Sequence, residues 1–216
     1  MRLIKLFGLV AIAAVAAMAV LGASSASATF HTSLCKSNEG GALTCAAANQ
    51  VTHIKAESVG STLLLTNIVT IHCNLSHLLA EALEGLSTLT GAGAINPQLV
   101  KVTELSLSEC KTHAGMSCTF TFTSLGHLLV LKTAANLASV QSHGTSLKMV
   151  CGFVMSCTFG GLPTLHFSGA ANDNSHAHLT ANELELAREG GSLCPETATW
   201  DALYLVTLPL PLYIKS

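Results

Sequence analysis

Apolar and hydroxylated side chains alternate along much of this chain with a period of two. In "CTFTFTS", Cys118, Phe120 and Phe122 fall on one side of an extended backbone and Thr119, Thr121 and Thr123 on the other. That is the pattern of a half-buried strand. "TATWDALYLV" repeats it, with Trp200, Ala202, Tyr204 and Val206 on one side. "STLLLTNIVTIHC" and "QLVKVTELSLSEC" are longer β-favouring runs that each end on a cysteine, while "GTSLKMVC" and "PTLHFSGA" are shorter ones. Glycines and polar clusters separate these runs. The layout predicts an all-β fold, a disulfide-stapled antiparallel β-sandwich with a β-barrel as the alternative.

Two segments depart from that period. "HLLAEALEGL", His77 to Leu86, places Leu79, Ala82, Leu83 and Leu86 at helical spacing and consists of good helix formers apart from Gly85. "LVLKTAANLASV" fits a strand or a helix. One or two short helices at most are therefore expected on a β body. No proline-rich, charged or low-complexity linker divides the chain, so residues 29–216 are expected to form a single domain.

The first residues have a different character. "MRLIKLFGLVAIAAVAAMAVLGASSASA" opens with Arg2 and Lys5, runs apolar to about Leu21 and closes on Ala26-Ser27-Ala28. This order predicts a signal peptide over residues 1–28 and a secreted, extracellular product with no integral span after cleavage. A retained anchor is the alternative, since the apolar run approaches the ~18 residues a span needs. The run is mostly alanine, however, and exits through small residues rather than charges. No cysteine follows "LGAS", so a lipid anchor is not expected.

Without Arg2 and Lys5 the chain carries eight basic residues against twelve acidic ones. The basic residues do not cluster and aromatics make up only 5% of the sequence. Phosphate-neutralising stripes and base-stacking platforms are thereby excluded, and with them a nucleic-acid partner.

All eight cysteines lie beyond residue 28. An even count in an exported chain predicts disulfides. The expected pairing is Cys35 with Cys45, Cys73 with Cys110, Cys118 with Cys157, and Cys151 with Cys194. "MSCTF" occurs twice, at Met116–Phe120 and Met155–Phe159, each time a short loop after another cysteine. A weak internal duplication of 106–122 in 146–161 explains this repeat. The spacing between cysteines is wider than the C-x₂₋₄-C of a zinc site, so the repeated unit is expected to staple strands.

Histidine is abundant, with ten copies. In "NDNSHAHLT", His176 and His178 would share one strand face with Asp173 just upstream, which makes them the best candidate metal ligands. Catalytic signatures are scarce: the nucleophile elbow, the zinc-protease helix, the P-loop and the dinucleotide fingerprint are all missing. Glu183 and Glu185 share a strand face, whereas glycosidase carboxylates face each other across a cleft. No catalytic residue and no cofactor are expected.

The closing text, "TATWDALYLVTLPLPLYIKS", follows Cys194 and ends its strand in Pro209-Leu210-Pro211, suited to a chain leaving a sheet. From Cys194 to Tyr213 this Trp-x-Ala-x-Tyr-x-Val-x-x-Pro-x-Pro-Leu-Tyr pattern resembles the final strand of secreted β-rich proteins of actinobacterial type. The resemblance implies export and a fold class and carries over no functional residue; Leu208 and Leu210 make this tail more apolar than that pattern. The expected function is a secreted or surface-associated, non-enzymatic protein with a binding or envelope role, its partner a surface ligand or the cell envelope. A histidine-based metal-binding module and a secreted hydrolase are the alternatives.

Overall fold

The computed structural model describes residues 30–38, 45–83, 95–153, 155–161, 164–169, 176–191 and 194–215. The expected signal segment 1–28 lies outside the described residues. Two short strands, β1 (Phe30–His31) and β2 (Ser33–Cys35), and a 3-10 turn at Ala47–Asn49 precede the body of the fold. There follow β3 (His53–Ser58), β4 (Thr62–Leu65), β5 (Thr70–Leu83), β6 (Ile95–Asn96), β7 (Gln98–Thr112) and β8 (Ser117–Ser124). Next come β9 (His127–Ala134), β10 (Leu137–His143), β11 (Ser146–Cys151), β12 (Met155–Gly160) and β13 (Thr164–Ser168). The last strands are β14 (His178–Gly190), β15 (Thr197–Leu208) and β16 (Tyr213–Lys215).

Twelve of these strands belong to one antiparallel sheet whose pairings return to their starting point. β3 and β4 together flank β5, which pairs with β7 along nearly its whole length. β7 meets β9 and β8, and β10 and β11 lie beyond them. β12 and β13 come next, then β14 and β15, and β15 pairs back onto β3 and β4. Read this way, β3–β4, β8–β9, β10–β11 and β12–β13 are single staves interrupted half-way. With β5, β7, β14 and β15 they make an eight-stave up-and-down barrel, the closed form of the expected antiparallel architecture. Closure pairs every stave of the ring with a neighbour on each side over at least part of its length.

The alternation seen in the sequence sets which side faces in. Along β15, Ala198, Trp200, Ala202, Tyr204 and Val206 are buried, and the residues between them face outward. Cys118 is buried on β8 and the intervening threonines are exposed. The outward set around the barrel is rich in Thr, Ser, His, Lys and Glu.

The helix expected from His77 onward is instead strand as far as Leu83, and Gly85 and Leu86 lie outside the described residues. Ser76, Leu78 and Ala80 are buried here, alternating with His77, Leu79 and Glu81. Hydrogen bonding to β3 on one side and β7 on the other outweighs the helical preference of isolated Leu, Ala and Glu. "LVLKTAANLASV" resolves into the β9–β10 hairpin. Asn136 occupies its turn with φ of 55°, the left-handed conformation that asparagine tolerates.

The bridges join Cys35 to Cys45, Cys73 to Cys110, Cys118 to Cys151, and Cys157 to Cys194. The last two correct the pairing expected from the sequence, in which Cys118 met Cys157 and Cys151 met Cys194. Register decides the matter. Cys118 lies directly opposite Cys151, whereas Cys157 lies opposite Met149. Both "MSCTF" copies lie in hairpins, yet neither hairpin is closed by its own cysteines. Cys73, Cys110, Cys118 and Cys151 form one in-register row across four neighbouring staves. Beyond it, Cys157 ties β12 to the segment leaving β14.

The opposite end of the barrel is covered by the segments that precede β3 and follow β15. β2 pairs with β16, and Leu34, Leu212 and Ile214 from this small sheet are buried. Thr32 is buried too and accepts a hydrogen bond from the Lys132 amide at 3.0 Å, which ties the cap to β9. Among the described residues no helix is long and apolar enough to cross a membrane.

Candidate functional site

Eight staves enclose an interior just wide enough to be filled by side chains or to hold one small ligand. Here the filling is incomplete. A cavity of about 80 Å³ lies midway along the barrel, between the stapled and the capped ends. One water needs about 10–15 Å³, so this is room for more than a single solvent molecule. Phe122 from β8 and Trp200 from β15 approach across it, with ring centroids 6.4 Å apart and planes tilted by 43°. Toward the cap a second hollow of about 40 Å³ lies among aliphatic side chains and Phe167. Leu78, Leu128 and Leu179 line both hollows and form the partition between them.

Part of the first cavity's wall is formed where the sheet pairing is interrupted. β7 pairs with β9 over Gln98–Lys101 and with β8 only at Cys110 and Lys111. Between these stretches, residues 102–109 and 119–126 run side by side without pairing to each other. Backbone irregularities bound the gap. The β5–β7 register shifts at Leu79/Ala80, close to where the β9 ladder stops, and Glu109 adopts φ of 53° just before the β8 ladder starts. Leu105, Phe122 and Leu125, half-buried residues of the cavity wall, belong to these two unpaired stretches.

Among the described residues no charged side chain lines the cavity. Its few polar groups mostly satisfy one another. The Tyr204 hydroxyl and Ser76 Oγ are hydrogen-bonded at 2.7 Å in the interior. Burial pushes the Tyr204 phenol up to about 12 against the opposing effect of the Ser76 and Thr62 hydroxyls. The Thr62 hydroxyl nevertheless completes no hydrogen bond in good geometry. Thr145 Oγ1 donates to the Leu125 carbonyl at 3.0 Å, so Ser142 Oγ donates to Thr145 Oγ1 at 2.7 Å. Trp200 is different. Its Nε1–H is buried and has no acceptor.

His176 and His178, the candidate metal ligands, are half-buried on one face, alternating with buried Ala177 and Leu179. His178 lies opposite Ser168 and Leu205. Asp173 lies outside the described residues, as does the side chain of Glu183. Among the described residues no three His, Cys, Asp or Glu side chains converge on a common point.

The sheet does assemble one cluster that sequence order conceals. His77 on β5 lies 2.7 Å from Glu104 Oε1 through Nε2, and Ser106 Oγ is 2.9 Å from its Nδ1. The same hydroxyl is 3.2 Å from Nε2, so it sits across the ring rather than in line with either nitrogen. Both His77 and Glu104 are well exposed on the outward face of the barrel. The cluster is a polar cross-strand network on adjacent staves.

Comparison with protein-family models, with curated proteins and with solved structures gives no significant match for this chain.

Proposed function

We propose that this chain is an exported, non-enzymatic binding protein that encloses a small apolar molecule inside its barrel. The observation that carries this reading is the apolar cavity, with no charged residue among its described lining, beneath a stretch of wall where β7 pairs with neither β8 nor β9. Interiors of folded domains are normally packed to crystal density, so a void of this size loses dispersion contacts unless something fills it. Barrel polarity supports a protein that works in water: the inward face is apolar, and the outer face mixes hydroxyls, histidines and charges with exposed Leu75, Leu131 and Leu203 rather than presenting the unbroken apolar band of a lipid-facing barrel. The four bridges support an oxidising compartment.

Benzene tests the proposal, because it enters dry apolar cavities. Titration into the oxidised protein is expected to move the methyl resonances of Leu78, Leu128 and Leu179 saturably. Ala181 is buried against the cavity, and Ala181→Leu fills it from within. That variant is expected to fold at least as stably and to lose the response. An unsaturable response, or an equal one in both proteins, overturns the reading.

A further inference from the structure

The shape of the cavity and the unsatisfied Trp200 donor in its wall narrow the class of ligand. Two hollows in line with a three-leucine partition describe a narrow, elongated space, with its wide part beneath the gap and its narrow part toward the cap. A flexible aliphatic chain can part Leu78, Leu128 and Leu179 by rotamer changes and continue into the second hollow; a rigid polycycle cannot. An ionised group within the walls would find no partner among the described residues, since no described lysine, arginine or histidine lines either hollow.

Of the hydrogen-bonding groups in the wall, the hydroxyls of Tyr204, Ser142 and Thr145 are already engaged. Among the described residues that line the wall, the Trp200 indole N–H is the group left without a partner, buried on a residue that is only 8% exposed; the unsatisfied Thr62 hydroxyl lines neither hollow. Leaving a buried donor unsatisfied is costly, and such groups are rare in folded proteins. An indole N–H donates only, so what completes it must be an acceptor.

The geometry points to a neutral aliphatic molecule bearing one carbonyl-type acceptor, an ester, ketone or aldehyde, whose oxygen accepts from Trp200 Nε1 and whose tail runs past the leucine partition. This specificity rests on the cavity reading above. It assigns Trp200 a role distinct from filling space: it discriminates between ligands of similar size and apolarity.

Trp200 is the only tryptophan, so its emission reports on the site without labels. The experiment titrates the full oxidised chain with hexane, methyl hexanoate and hexanoate, with calorimetry beside fluorescence, and repeats the series on Trp200→Phe. Methyl hexanoate is expected to bind about tenfold more tightly than hexane, and hexanoate more weakly than the ester. In Trp200→Phe the preference for ester over hexane is expected to vanish while hexane still binds. Equal affinities for hexane and ester in the native protein overturn the acceptor assignment and leave the apolar cavity standing. Hexanoate binding as tightly as the ester overturns the requirement for a neutral ligand. Failure of all three to bind, together with a null benzene titration, overturns the cavity reading itself.

Discussion

The two ends of this barrel are closed by different means. At one end Cys73–Cys110, Cys118–Cys151 and Cys157–Cys194 cross the staves, and the interior holds Ile71, Met149 and Phe159, all fully buried. At the other, the fully buried side chains are Val100, Val140 and Val206, and no bridge joins two staves. Closure there comes from the β2–β16 cap, which contributes Leu34 and Leu212 and is held by Cys35–Cys45 within its own segment. A chain with few aromatics has little large apolar surface with which to hold a barrel shut. One end replaces it with covalent bonds between staves and the other with chain drawn over the opening. The cavity lies where these two solutions meet.

Removing a bridge at each end tests the contrast most strongly. Cys118→Ala with Cys151→Ala opens a separation of 33 residues, for which chain entropy gives a loss of about 4 kcal/mol; Cys35→Ala with Cys45→Ala opens 10 residues and about 3 kcal/mol. Denaturant unfolding should show both losses. Hydrogen exchange should separate them, rising throughout β8 and β11 in the first variant and only in β2 and β16 in the second. If the cap variant exchanges as fast at the stapled end as at its own, the two ends do not differ in the way described.

Packing should differ in the same direction. Phe159→Ala removes a fully buried aromatic at the stapled end and is expected to cost about 3–5 kcal/mol, whereas Val140→Ala at the capped end removes only two methyl groups and should cost clearly less. Equal losses in thermal or chemical unfolding would contradict this ordering.

Tyr204 joins the two ends near the middle of the barrel, and its ionisation gives an alkaline probe. Its folded-state pKa of about 12 lies above the ordinary 10.0, so the folded state retains the proton more firmly. The associated stability is present in full below about pH 10 and is lost as pH rises toward 12, roughly 3 kcal/mol in all. Phenolate absorbance should therefore show one of the two tyrosines titrating together with unfolding. Two tyrosines ionising near pH 10 in the folded protein would rule this out.

The smallest effect is at the outer surface of the capped end. Lys55 lies 2.7 Å from Glu57 and holds its carboxyl below the usual value, first through the hydrogen bond and then through charge. A depressed carboxyl contributes above its unfolded pKa and loses that contribution as pH falls through the folded one. The pair is exposed, so the change in stability should be barely measurable. Carboxyl chemical shifts through the acid range should still place Glu57 below the ordinary carboxyl value, and Lys55→Met should bring it back toward that value.

Part of this was legible in the sequence. The inward faces of β8 and β15 follow from their alternation, because a strand has only two sides and apolar residues occupied one of them. An oxidised cysteine set follows from an even count in a chain read from its first residues as exported. The same letters misled over His77–Leu86, where good helix formers also satisfy a period of two and only the flanking strands decide. They could not settle the partner of Cys118 either, since Cys151 and Cys157 are both reachable along the chain and a choice between them needs the register of β8 against β11.

The cavity belongs entirely to the second category. Phe122, Trp200 and Tyr204 could be named as inward-facing from sequence alone, but whether inward side chains fill a barrel depends on its radius. Radius follows from how many staves close the ring and how they are staggered, quantities carried by no single segment. The gap between β7 and β8–β9 depends likewise on a bulge and a left-handed Glu109 placed by neighbouring strands. Local alternation therefore determined which residues face inward. Only closure of the ring decided that they would leave room among themselves, with the Trp200 donor left unsatisfied in its wall.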